Sequence, residues 1–65
     1  MMNVKINGMP DDLHHHKWIV CRLADGTAWF YESFPYDRED EALAVAREMG
    51  GFVAENTAWL KGIFG

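Results

Sequence analysis

Cysteine is almost missing from this sequence: Cys21 stands alone, so no internal disulfide can form. Small secreted domains usually need several such staples, and their lack predicts a reducing, cytoplasmic setting. Positive charge is also short. Six Lys and Arg stand against ten Asp and Glu, giving a net charge of −4. Attraction to phosphate backbones needs the opposite sign, so no direct nucleic-acid contact is expected. No uninterrupted apolar run approaches the roughly 20 residues of a membrane span. Met1–Pro10 has no apolar stretch flanked by basic residues. Neither a membrane partner nor a secretory leader is therefore expected. Proline occurs only twice and no segment is of low complexity, which argues against disorder. Glycine-rich phosphate loops are absent, and the sole serine, Ser33, lacks the glycine-flanked elbow of a nucleophile.

What is present is a globular composition, 49% hydrophobic and 14% aromatic, in 65 residues. That length fits one domain spanning 1–65, whose core supplies only about 3–5 kcal/mol. Val4 and Ile6 alternate with Lys5, which predicts a short strand over Asn3–Asn7. A turn-rich loop follows from Asn7 to Asp12. The strongest local pattern is a hairpin. Lys17–Ala24 and Thr27–Phe34 are rich in strand formers and are separated by Asp25-Gly26. Asp-Gly supplies the two positive-φ positions of a type I′ turn. Asp37–Met49 reads as a helix with Asp37 as N-cap, an acidic first turn and Gly50 as left-handed C-cap. Ala42, Val45, Ala46 and Met49 form its apolar stripe. A strand over Phe52–Glu55 and a short apolar helical tail over Ala58–Phe64 complete the order. The fold class is α+β: a small mixed sheet, β-β-β-α-β plus tail, with one helix on one face. The helical crossover predicts that the last strand runs parallel to the second hairpin strand.

A two-residue turn fixes the register, and the side-chain period of two then sorts the hairpin into two faces. One carries Ile19, Cys21, Leu23, Ala28, Phe30 and Phe34, with Glu32 as its one charge. Its aliphatic character suits a covering helix. The other carries Trp18, Val20, Arg22, Trp29, Tyr31 and Ser33, mostly aromatic side chains around one cation. Arg22 opposite Trp29 is placed for a cation–π contact. Three uses of this second face compete. The apolar tail folds back over it, a second subunit covers it, or it stacks unpaired bases. The net negative charge makes the last the weakest, and tryptophan, tyrosine and arginine are the residues favoured at binding hot spots.

Other constellations are thinner. Asp12, His14 and His16 are a candidate metal set, although their spacing matches no structural zinc pattern. Cys21 on an aliphatic face reads as a small buried hydrophobe rather than a nucleophile. Asp37, Glu39, Asp40, Glu41 and Glu48 form an acidic surface explained first by helix capping and solubility. Exposed carboxylates keep ordinary pKa values near about 4 and make poor acid–base catalysts. No cofactor and no catalytic activity are expected.

From Lys17 to Glu55 the chain runs Trp-Ile-Val-Cys-Arg-Leu, Asp-Gly, Trp-Phe-Tyr, an acidic helix start, Ala-Arg-Glu-Met-Gly-Gly and Phe-Val-Ala-Glu. In this it resembles small uncharacterised proteins of bacterial phages and other mobile elements. The resemblance implies an accessory or inhibitor role, in which the acidic surface blocks a nucleic-acid-handling or defence enzyme. The residues themselves point first to a non-enzymatic protein-binding module that self-associates through the aromatic face. Inhibition through the acidic surface and metal binding by the histidine cluster are the alternatives.

Overall fold

In a computed structural model, the described residues are 6–10, 13 and 15–56. Among them, four strands and one helix build an α+β fold. The hairpin strands are β2 (Trp18–Ala24) and β3 (Thr27–Phe34). β1 (Ile6–Asn7) and β4 (Phe52–Glu55) flank them, and α1 (Glu39–Met49) joins β3 to β4. The sheet order is β1-β3-β2-β4. β1 pairs parallel with β3, while β3 and β4 each pair antiparallel with β2. β4 therefore runs parallel to β3, as the crossover predicts, with β2 between them. The proposed strand Asn3–Asn7 is present at Ile6–Asn7, its earlier residues lying outside the described set. The proposed tail helix over Ala58–Phe64 also lies outside it. Among the described residues no helix is long and apolar enough to cross a membrane.

Asp25 and Gly26 take φ of 54° and 75°, the two left-handed positions of a type I′ turn. The first four pairs follow the expected register, from Ala24 opposite Thr27 to Cys21 opposite Phe30. Then the register slips. Val20 lies opposite Glu32 rather than Tyr31, and Trp18 opposite Phe34. β3 has one residue more than β2 at this point, a β-bulge at Tyr31. Beyond it, β3 side chains change sides. Phe34 joins Trp18 and Val20 instead of Cys21 and Phe30.

That slip overturns the expected placement of the helix. Val20, Phe34, Ala42 and Ala46 form the core cluster, with Trp18, Val45, Met49 and Val53 packed against it. α1 thus covers the Trp18–Val20 face, not the Ile19–Cys21 face. The physical reason is that Phe34 and Val53 both land beside Val20, and the small Ala42 and Ala46 let the helix settle there. Ile19 and Cys21 on the other face are also fully buried. Both faces of the sheet are apolar where the strands are longest, so aliphatic content alone does not choose the helix side.

The helix start differs too. Residues Tyr36–Arg38 form a 3-10 turn, closed by the Arg38 N–H donating to the Pro35 carbonyl at 3.0 Å. Asp37 sits inside this turn rather than at the N-cap, which Arg38 occupies without a side-chain cap bond. The helix end follows expectation. Gly50 has φ 72°, and the Gly51 N–H donates to the Ala46 carbonyl at 2.8 Å, a Schellman closure. Gly51 is required for space: a β-carbon there would overlap the Cys21 carbonyl.

Candidate functional site

The five residues of the proposed aromatic face divide between core and surface. Val20 is fully buried beneath α1. Trp18 is half-buried, its indole N–H donating to the Tyr36 carbonyl at 3.0 Å and the Lys17 ammonium lying 4.7 Å from its ring centre. These two hold the helix start to the sheet and are not an open binding surface, because the bulge brings Phe34 and α1 over them. Arg22, Trp29 and Tyr31 remain outside, with Trp29 47% and Tyr31 53% exposed. α1 packs mainly on β2 and β4 and less on β3. The turn end of the hairpin extends past β4, whose pairing stops at Cys21. Arg22 and Trp29 are direct cross-strand partners there.

Arg22, Ala24, Trp29, Phe30 and Tyr31 line an open depression of about 340 Å³. Arg22 is the one charged side chain among these. Three aromatic rings and one guanidinium therefore meet at an open surface. Phe30 adds to this lining beyond the expected set, and Leu23 is exposed on the face of the hairpin opposite Arg22 and Trp29. Leu23 is 61% exposed because it lies near the turn, where the sheet has no cover on that side among the described residues. Their place on the predicted aliphatic face concealed them.

A second exposed apolar group lies on the helix side. Tyr36 and Leu43 are both open to solvent, and Leu43 follows Glu39 by four residues and Asp40 by three. The acidic residues Asp37, Glu39, Asp40, Glu41 and Glu48 are all exposed, and Glu41 pairs with Arg38 at 3.0 Å.

Of the candidate metal set, Asp12 and His14 lie outside the described residues. His16 Nδ1 sits 2.7 Å from the Ser33 hydroxyl, an interaction that pins the incoming loop to β3. Among the described residues no group of three or more His, Cys, Asp or Glu converges on a metal position. Cys21 is fully buried, and burial pushes its thiol pKa up, away from nucleophilic reactivity. Its expected role as a small core residue stands, on the face away from the helix rather than beneath it.

Asn56 is a structural residue the sequence gave little sign of. It is 2% exposed, and its amide donates to the carbonyls of Leu13 at 2.6 Å and His16 at 2.9 Å. Its backbone N–H donates to the Lys17 carbonyl at 2.7 Å. The end of β4 is thereby bolted to the loop that leads into β2.

No family model, curated protein or solved structure matches this chain.

Proposed function

We propose that this chain is a small non-enzymatic protein-binding module that self-associates through the exposed part of its hairpin. The observation that carries this reading is the depression at Arg22, Trp29 and Tyr31, left uncovered beside α1. A 65-residue chain has little core of its own, and burying aromatic surface against a second copy adds to it. Trp, Tyr and Arg are the side chains that concentrate binding energy when desolvated at the centre of a contact.

Sedimentation between about 10 and 100 μM tests the reading, a range in which specific contacts of moderate strength become populated. The wild-type chain is expected to sediment as a dimer. Trp29→Ala should weaken the dimer by about thirtyfold or more, as hot-spot truncations of about 2 kcal/mol do. The fold should persist, since Trp29 is half exposed and absent from the helix-side core cluster. A wild-type chain that stays monomeric throughout this range would refute self-association.

A further inference from the structure

We infer that the acidic, apolar flank at the start of α1 in a second copy is what the Arg22 depression receives, reciprocally, in a two-fold dimer. This inference rests on the self-association proposed above and names the surface that completes it. Four of the five described exposed large hydrophobics fall into two groups of opposite charge, Leu23 lying apart on the other face of the hairpin. Trp29 and Tyr31 line the depression with Arg22. Tyr36 and Leu43 accompany Glu39 and Asp40. Each group pairs apolar surface with the charge the other lacks. Like-on-like docking would instead set guanidinium against guanidinium, an arrangement that costs affinity.

Geometry favours reciprocity. The Arg22 group lies toward the turn end of the hairpin, and the helix start follows Phe34 at the other end. Roughly 17 Å of strand separates Trp29 from Phe34 at the usual rise per residue. Arg22 and Trp29 share the register side of Trp18 and Val20, the side of the sheet on which α1 packs. A two-fold axis between two such faces puts each hairpin end against the partner's helix start. Each contact is then made twice, and the assembly closes without leaving a free complementary surface.

Stable interfaces bury about 800 Å² per partner. The whole chain exposes 4811 Å², so that is about a sixth of its surface. A depression lined by five residues is much smaller than the roughly 20–30 residues a side of such an interface, so a second contact is needed.

Charge exchange in the full chain separates the possibilities. Arg22→Glu alone, and Glu39→Lys with Asp40→Lys, should each weaken the dimer by about tenfold or more. Combining all three substitutions in one chain should restore most of the lost affinity, because each contact regains opposite charges. Glu48→Lys, at an exposed acid outside this flank, should leave the dissociation constant within about twofold, a difference too small to mark a contact. Helix content by circular dichroism checks that every variant is folded. If the triple variant is no tighter than the single exchanges while Trp29→Ala still breaks the dimer, the docking inference fails and self-association stands. If Glu48→Lys acts as strongly as the helix-start exchange, net charge governs and the inference also fails. A wild-type monomer overturns both.

Discussion

Two buried residues carry most of the polar and titratable logic of this small molecule. Asn56 has no apolar payload, yet it satisfies two loop carbonyls with its side chain and a third with its backbone. Asn56→Ala leaves the Leu13 and His16 carbonyls without that donor, which costs about 1–3 kcal/mol for groups removed from water. A clear drop in thermal midpoint is the expected result, larger than for alanine replacement of an exposed residue such as Glu48. Cys21 gives a pH signature. The folded chain holds its thiol proton more tightly than the unfolded chain does, since burial raises the folded pKa. The stability this confers is complete below the ordinary thiol value near about 8.5 and is lost as pH rises through the raised folded value. Urea midpoints from about pH 8 to 10 should therefore fall more steeply for the wild type than for Cys21→Ala. Equal slopes would mean the thiol is not buried as described. The two roles were not equally legible in the sequence. Cys21 was legible as a core residue from its strand neighbours. Asn56 was not, because an asparagine after a strand is more often a turn or cap, and only long-range packing reveals its partners.

At the scale of elements, the hairpin, the helix and its glycine end were legible because each depends on local chemistry. Asp25-Gly26 fixes its turn through two positive φ values, and Gly50 ends α1 by the same means. The helix side was not legible. Ala28, Phe30 and Phe34 recur at even positions and read as one stripe. The extra residue at Tyr31 splits that stripe, leaving Ala28 and Phe30 on the side of Cys21 and sending Phe34 to the side of Val20. No residue at 30–32 announces the bulge by glycine or proline. The same slip explains why Trp18 and Val20 left the candidate surface while Arg22, Trp29 and Tyr31 stayed on it. Asp37 was misplaced for a related reason: the 3-10 turn after Pro35 delays the α-helix by two residues. Gly51→Ala tests the packing of β4 on β2. A β-carbon would press on the Cys21 carbonyl, which is backbone and cannot swing aside. The substitution should lower the urea midpoint well beyond the roughly 0.5–1 kcal/mol span of ordinary glycine-to-alanine changes.

For the whole molecule, the acidic balance keeps any contact between copies sensitive to salt. The dimer proposed above should weaken between 0.1 and 1 M salt, since exposed charge pairs are screened over about 3–10 Å in that range. Aromatic contacts alone would resist that change. The split stripe of β3 has one more consequence. Ala28 is buried on the side of Ile19 and Cys21, and Phe34 is buried in the cluster beneath α1, so a single stretch of backbone contributes to both faces of the sheet. Opening either face therefore disturbs a strand on which the other relies. Calorimetric and van't Hoff enthalpies of unfolding, measured where the chain is monomeric, should therefore agree, with heat absorbed in one cooperative step despite the modest size of each layer.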